Sequence, residues 1–528
     1  MTASLSIVQE VQATNPDSLH FRHYMGRVSS HSAVFFLGTI FNALAAYGFK
    51  VYLARHLGAR LLGIYALGMT IVSFAGVFNT LGISQTAVRF VSSYNATQRF
   101  DLLRSFLVRS MLLLLACNGV LAVAMMLAGP WIAVRFYHTP ELVGYMGLFT
   151  VIMVFGVFTT FFSHVLGGYK DVARRTVINH FIGTPLTILI TVTLVASGLA
   201  LKGYIAAQAL SAWVVLMLLV VLVWRLTPNA ARSFSGPLAP IDKEVVSVSA
   251  TTLGITLLGL VMTHAQTVAL GRWRDAHELG VYALASGVVT FVCIILTSVN
   301  QIFGPIIADL YARARYDLLS RMYQTLTKWI LGLTFPLAAV IMIFAKSIMG
   351  IFGRDFEAGW IVLVIGTLGQ LANAGVGSSG AMLFMTGRQR YLISIQAGVA
   401  VVIIVSSILL VPKWGIIGAI SVAAMANVLA NLSYLLVVRR TLNLIPYNSS
   451  YFRLVLPSVA MLLTLFAVRA AVGTLWPAWL TAGAALAVAY LVFTGVALAF
   501  GLNADDKLIA GAVWARVCGM FSKTEANV

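Results

Sequence analysis

Five basic side chains lie inside, or at the ends of, apolar stretches of a chain that carries few charges. They are Lys50, Arg55, Arg89, His264 and Arg272. A cation in an apolar segment is costly unless it faces water, an anion or another polar group. Basic groups in such places favour binding of an anion in a hydrated cavity, so we take these five as candidate substrate contacts.

Each of these residues also has a simpler interpretation. Arg55 and Arg272 lie near proposed membrane interfaces, where arginine often extends to lipid headgroups, and Lys50 could reach outward in the same way. Arg89 fits the tendency of basic residues to collect on the inner side of a membrane. His264 fits a hydrogen-bonded packing residue. The sequence leaves both interpretations open for all five.

Composition predicts the secondary structure on which these residues lie. Of the 528 residues, 60% are hydrophobic and only 10% are charged. A bilayer core about 30 Å thick needs roughly 20 apolar residues per helix, and fourteen such windows lie between residues 33 and 500. The first is not a cleaved signal peptide, because a second window of equal strength follows at once. We therefore predict an all-α, polytopic membrane protein with 14 transmembrane helices.

The distribution of lysine and arginine predicts the orientation. With both termini inside, 24 of the 35 basic residues fall on internal segments and 10 on external ones. This asymmetry predicts a multi-pass protein of the inner (plasma) membrane with both termini cytoplasmic. The formal net charge of +19 is then explained by topology and by contact with anionic lipids, and it does not indicate a nucleic-acid partner.

One segment of the chain occurs twice in similar form. "LLGIYALGMTIVSF" at 61–74 returns as "ELGVYALASGVVTF" at 278–291, with seven of fourteen positions identical, and the same offset pairs Arg55 with Arg272. Six predicted spans separate the copies, so both halves should enter the membrane in the same direction and form two pseudo-symmetric lobes.

This repeat predicts the following organisation of the chain. The predicted segments are an N-terminal cytosolic tail at 1–32, an N-lobe of six helices at 33–226, a cytosolic linker at 227–246, a C-lobe of six helices at 247–440, two further helices at 441–500 and a cytosolic tail at 501–528. Parallel duplication of this kind is typical of alternating-access transporters.

Enzyme chemistry finds no support in the sequence. The three cysteines are far apart, metal-ligand spacing and a P-loop are absent, and no set of catalytic side chains stands out. We expect neither an enzyme nor a bound cofactor or metal. The sixteen acidic residues all fall in tails or connections of the predicted map, which favours an anionic over a cationic substrate.

Several fragments, taken in order, resemble a known family. "LARHLGARLLGIYAL", "LGISQTAVRF", "NQIFGPIIADLYA", "MLFMTGRQRYLISIQAG" and "LLVPKWGIIGAISVAAMANVLANLSYLL" resemble the polysaccharide transporter family, whose members include O-antigen and exopolysaccharide flippases. The family belongs to the multidrug/oligosaccharidyl-lipid/polysaccharide exporter superfamily. The resemblance covers roughly residues 33 to 440.

The resemblance implies a substrate, a polyprenyl-diphosphate oligosaccharide turned over from the cytoplasmic to the outer leaflet for surface or exopolysaccharide biosynthesis. It also implies, as partners, a glycan polymerase and glycosyltransferases of the same pathway, and we expect a monomer. Two alternatives stay open: a cation-coupled drug or small-metabolite exporter of the same superfamily, and a scaffold of a glycan synthesis complex.

Overall fold

The computed structural model describes residues 16–232, 238, 243–472 and 477–499. Throughout these ranges every regular element is helical, which confirms the predicted all-α class. A helix satisfies its own backbone hydrogen bonds, which is necessary in the apolar core of a bilayer because no water is available there. Most of the predicted tails, at 1–15 and 501–528, lie outside the described residues.

The helices differ in length from about one turn to more than fifty residues. In chain order they are α1 (Pro16–Thr80), α2 (Ile83–Ala96), α3 (Phe100–Trp131), α4 (Met146–Gly168), α5 (Val172–Thr176), α6 (Thr184–Leu194), α7 (Ala200–Leu226), α8 (Asn229–Arg232), α9 (Lys243–Trp273), α10 (Ala276–Val289), α11 (Ile294–Ala312), α12 (Tyr316–Ile343), α13 (Ala345–Gly350), α14 (Trp360–Val376), α15 (Ser379–Met385), α16 (Gln389–Leu442), α17 (Val455–Val472) and α18 (Ala478–Ala499). Short 3-10 and π turns join several of them.

Within the described ranges, 11 helical segments are long and apolar enough to cross a membrane. Three of them contain a residue whose backbone leaves the helical region: Gly58 in α1, Ala200 at the start of α7 and Gly415 in α16. The sequence predicts a connection between two spans near each of these places. The protein is thus a multi-pass membrane protein, and the number fourteen stays a prediction.

The chain divides into two compact units. The first comprises Met1–Leu57 and Gly68–Leu260, and the second comprises Gly58–Leu67 and Val261–Val528. Both differ from the predicted lobes, because the short stretch 58–67 groups with the second unit and the first part of α9 groups with the first. The pseudo-symmetry of the lobes themselves stays a prediction.

Each unit has its own apolar core. In the first unit the core is built by α2, α3, α4 and α7 around buried aromatic rings such as Phe90, Phe106 and Phe161. In the second, residues of α11, α12, α15 and α16 surround Phe303 and the fully buried Tyr323. These cores hold the helices that carry the candidate sites.

Candidate functional site

Two of the predicted cations share one helix of the first unit. Lys50 and Arg55 lie on α1, five residues apart, which corresponds to about 7.5 Å along the helix axis. Both side chains are exposed, and the helix leaves its regular path three residues later, at Gly58. The two cations thus lie along the last turns before the break in α1.

Arg89, near the middle of α2, is part of an ion pair. Its guanidinium contacts the Glu244 carboxylate at the start of α9. Hydroxyls of Thr86 and Ser249, 3.2 Å apart, join the same two helices. Because the pair is largely exposed, it contributes little to stability. To hold a substrate anion, Arg89 would have to exchange Glu244 for it.

The other two predicted cations, His264 and Arg272, lie eight residues apart on α9 in the second unit, and both are half-buried. The structure therefore places three of the five predicted contacts in the first unit and two in the second. Their role in binding an anion stays a prediction.

A buried cation, Lys328, is not among the five predicted contacts. Lys328 is only 6% exposed, and it lies well inside α12, which begins at Tyr316. In the predicted topology Lys328 is one of the 24 basic residues on internal segments. The sequence does carry a signal for this position. Apolar residues recur at helical spacing from Leu318 onward, which indicates a helix that begins well before Lys328.

The first unit carries a groove lined mainly by apolar side chains, which we call the α3–α7 groove. Its volume is about 370 Å³, and its walls include Leu107, Met111 and Phe161. Arg104 and Arg232 line it as well, and both lie near the end where α3 begins and α7 ends. Because wall residues such as Leu112 and Trp224 are exposed, the groove is open at the protein surface.

Local contacts hold the guanidinium of Arg232 in place. Its Nε donates to the Thr227 carbonyl at 2.8 Å, its Nη2 donates to the Arg225 carbonyl at 2.8 Å, and its centre lies 5.2 Å from the Trp224 ring. The Thr227 hydroxyl donates to Val223 and so accepts from the Tyr169 hydroxyl at 3.1 Å. Burial raises the pKa of Tyr169.

A second cavity in the first unit is more polar. It measures about 350 Å³ and is lined by Phe49, Asn179, Tyr204, Gln208 and other residues. The Gln208 amide donates to the Tyr204 hydroxyl at 2.9 Å. Phe49 directly precedes Lys50, so one predicted cation adjoins a residue of this cavity wall.

The second unit contains a cavity of about 250 Å³ that we call the amide cavity. It is lined by residues of α9, α10, α14 and α16, including Gln266, Tyr282, Gln370 and Asn427. The sequence analysis did not single out these residues. A glutamine or asparagine within an apolar span could have indicated them, although such amides often serve only to link helices.

The acidic residues whose side chains the structure describes lie at the ends of the helices or cap them. Asp101, Glu141, Glu244, Glu278, Asp317, Asp355 and Glu357 lie in first turns, Asp309 lies in the last turn of α11, and Asp171 and Asp275 are N-caps. Among the side chains that the structure describes, the interiors of the candidate spans thus hold no carboxylate.

Comparison with known families and proteins confirms the resemblance read from the sequence. The model of a family described as "Polysaccharide biosynthesis protein" matches residues 30–311. An uncharacterized membrane protein of Methanocaldococcus jannaschii, MJ1068, is 22% identical over 409 residues, which cover 74% of this chain and 79% of that protein.

Solved structures show the same fold. The lipid II flippase MurJ in an inward closed conformation matches with a TM-score of 0.70 and 14% identity, over 89% of this chain and 98% of that one. A multidrug resistance MATE family transporter of the MOP superfamily matches with a TM-score of 0.62 and 16% identity, over 75% and 94%. The fold is thus that of membrane transporters and flippases.

Proposed function

The chain belongs to the polysaccharide biosynthesis protein family, and we propose that it flips a polyprenyl-diphosphate-linked oligosaccharide from the cytoplasmic to the outer leaflet by alternating access. Such a substrate combines a long hydrocarbon chain, an anionic diphosphate and a neutral glycan. Each part requires a different protein environment.

The α3–α7 groove is the observation that carries this proposal. Its apolar walls suit a hydrocarbon chain, and Arg104 and Arg232 suit a phosphate at one end. The guanidinium of Arg232 is already oriented by two backbone carbonyls, so binding an anion there costs little additional ordering. One surface therefore offers both chemistries of a lipid diphosphate side by side.

The remaining predicted cations are proposed headgroup contacts within each unit. Lys50, Arg55, Arg89, His264 and Arg272 are proposed to contact the diphosphate as it crosses the low-dielectric region, where an unpaired anion is expensive. Lys328 joins them as a buried cation of the second unit.

The distribution of acidic groups suggests the driving force. Cation-coupled exporters bind protons or sodium with carboxylates inside the membrane, and the described spans carry their carboxylates only at their ends. An inside-negative membrane potential drives outward movement of negative charge by about 2.3 kcal/mol per charge per 100 mV. We propose that this potential drives the flip.

Orientation and partners complete the proposal. From the distribution of basic residues we propose that both termini lie on the cytoplasmic side of the inner membrane, where glycosyltransferases would assemble the lipid-linked glycan. A polymerase on the other side of the membrane would use the product, and the flippase itself would act as a monomer among anionic lipids.

Deletion of the gene, followed by mass spectrometry of the membrane lipids, tests the function. We expect a completed polyprenyl-diphosphate oligosaccharide to accumulate while drug susceptibility stays unchanged, and re-expression of the protein should clear the intermediate. New drug sensitivity without any accumulated lipid-linked glycan would overturn the proposal in favour of the exporter.

A further inference from the structure

The amide cavity of the second unit lies at the junction of four helices. Gln266 comes from α9, Tyr282 and Ser286 from α10, Gln370 from α14 and Asn427 from α16. None of the described residues that line the cavity is charged. Apolar wall residues, among them valine, isoleucine and alanine, fill the spaces between the polar groups.

A hydrogen-bond network fixes the orientation of Gln370. Its side-chain carbonyl accepts from the Asn427 amide at 3.0 Å, from the Asn373 amide at 3.3 Å and from the Cys293 thiol at 2.8 Å. Asn427 is held in turn by Asn431, whose amide donates to the Asn427 side-chain oxygen at 3.0 Å. With its carbonyl fully used, Gln370 has only the NH2 group left to offer a ligand.

Two further polar groups of the cavity wall are unused. Gln266 is 3% exposed, and its carboxamide makes no hydrogen bond to another described residue. Tyr282 is 6% exposed, and its hydroxyl likewise makes no hydrogen bond to another described residue. Buried polar groups normally have partners. The Gln266 carboxamide and the Tyr282 hydroxyl line the same cavity as the NH2 group of Gln370, so the cavity can bind a ligand that both donates and accepts hydrogen bonds.

The size and charge of the cavity restrict that ligand. A volume of about 250 Å³ is below the roughly 300 to 1,000 Å³ of pockets for drug-sized molecules. Amides and hydroxyls without a charged neighbour do not favour an ion, which would lose its hydration without a counter-charge. A small, neutral molecule with several hydroxyl groups satisfies both restrictions.

We propose that the amide cavity binds one neutral sugar ring of the transported glycan, held by Gln266, Tyr282 and the NH2 group of Gln370. The proposal rests on the proposed flippase function and extends it, because it separates glycan recognition in the second unit from the lipid-diphosphate contacts of the α3–α7 groove. Amide and hydroxyl groups that fit sugar hydroxyls would then select among substrates, since a mismatched ring leaves buried polar groups unpaired.

Direct binding of monosaccharides tests this site without any transport. The full-length protein in lipid nanodiscs is titrated with glucose, galactose, rhamnose and N-acetylglucosamine, and saturation-transfer difference NMR records the contacts. At least one neutral sugar should bind, and glucose 6-phosphate should bind more weakly. Gln266→Leu and Gln370→Leu should each weaken binding about three- to tenfold, as expected for one or two lost hydrogen bonds.

Two variants guard against misfolding as an explanation. Tyr282→Phe removes one oxygen that bonds to no other described residue, so it should leave the melting temperature unchanged while still weakening sugar binding. Tyr434→Phe alters a buried tyrosine of the same unit that does not line the cavity, and it should bind sugar normally. Absence of sugar binding to the wild-type protein would overturn the proposal. So would binding by the three cavity variants that equals binding by the wild type.

A transport arm separates this inference from the function itself. Proteoliposomes are loaded with polyprenyl diphosphate that carries either a neutral disaccharide or no sugar. If the wild-type protein flips neither lipid, the proposed function fails, whereas the NMR result still decides whether the cavity binds a sugar. If it flips the glycolipid, the cavity variants should lose their preference for the lipid that carries sugar.

Discussion

Gly63 and Gly280, the same position in the two copies of the repeated segment, lie against each other within the second unit. A Cβ built on Gly63 would lie 3.0 Å from the Gly280 nitrogen, and one built on Gly280 would lie 2.9 Å from the Gly63 nitrogen. Each would also overlap a carbonyl oxygen of the other segment, that of Ala276 or that of Ala59. The contact is reciprocal, because the glycine of each copy lies against backbone atoms of the other copy.

The two copies of the segment supply matching contact surfaces. Each copy carries a small residue four positions before its glycine, Ala59 and Ala276, so both helices have the small-xxx-small pattern that permits close backbone packing. Two identical patterns that face one another produce an interface in which both backbones approach equally.

Replacing either glycine with alanine should therefore damage the protein. We expect Gly63→Ala and Gly280→Ala each to destabilise it by about 1 to 3 kcal/mol or more, because the added methyl meets backbone atoms that cannot rotate away. Thermal unfolding in detergent measures this effect, together with the yield of monodisperse protein.

Gly398 provides the matched control. It lies in α16 of the same unit, and a Cβ there meets nothing within 4 Å. Gly398→Ala should be neutral or slightly stabilising, since alanine favours the helix by roughly 0.5 to 1 kcal/mol. Equal melting temperatures for all three variants would show that the glycine contact does not determine the packing.

Arg274 joins the start of α10 to the break in α16. Its Nη2 donates to the carbonyls of Pro412 and Lys413 at 3.0 and 3.1 Å, and its Nη1 lies 3.8 Å from Glu278. The chain turns directly afterwards at Gly415, with φ of +54°. We expect Arg274→Ala to cost about 1 to 3 kcal/mol, because it leaves two carbonyls without their charged donor.

Lysine should not substitute for this arginine. Arg274→Lys keeps the charge but loses the planar guanidinium, whose Nη2 donates to both carbonyls while Nη1 lies near Glu278, so its melting temperature should resemble that of Arg274→Ala. The exposed Arg390 of α16 is a suitable reference, and Arg390→Ala should change stability by less than about 0.5 kcal/mol. Full rescue by lysine would mean that only charge matters at position 274.

Loss of the cations in the α3–α7 groove should slow transport more than it reduces stability. We expect the double variant Arg104→Gln and Arg232→Gln to lower the rate of lipid-diphosphate flipping in proteoliposomes at least about tenfold, which corresponds to roughly 1.4 kcal/mol of lost interaction. The control is Arg135→Gln, an exposed arginine just beyond the opposite end of α3. Flipping at the wild-type rate by the double variant would exclude the groove from the transport path.

Membrane potential should control the rate. For a headgroup with about two negative charges, 100 mV contributes roughly 4 to 5 kcal/mol in the outward direction. An imposed potassium-diffusion potential should therefore accelerate flipping, and a pH or sodium gradient of similar energy should have little effect. A rate that responds to the ion gradients alone would instead point to coupling through a bound cation.

Some properties of the protein follow from local sequence alone. Apolar windows near the length of a bilayer crossing predict helices, because an isolated backbone in hydrocarbon must satisfy its own hydrogen bonds. The class and the membrane location, and the resemblance to a family, were therefore readable from residue order. Residues 61–74 and 278–291 revealed the repeat for the same reason, since identity between segments is a property of the string.

Other properties depend on which helices meet. The sequence could place Lys50 and Arg55 on one helix, but the partnership of Arg89 with Glu244, 155 positions away, required the packing of α2 against α9. The sequence predicted a connection near Gly58 but not its form: a single non-helical glycine, with φ of +73°, redirects the chain between two helical stretches of α1.

Properties that can be predicted from the sequence differ for a physical reason from those that depend on tertiary packing. Sequence determined that helices form and that the chain repeats itself, because helix hydrogen bonds and side-chain hydropathy are local. Three relationships depend on tertiary packing: Gln266, Tyr282 and Gln370 line one cavity, two arginines lie at one end of an apolar groove, and Gly63 lies against Gly280. Those contacts join residues far apart in the chain, and no local pattern specifies the distances between them.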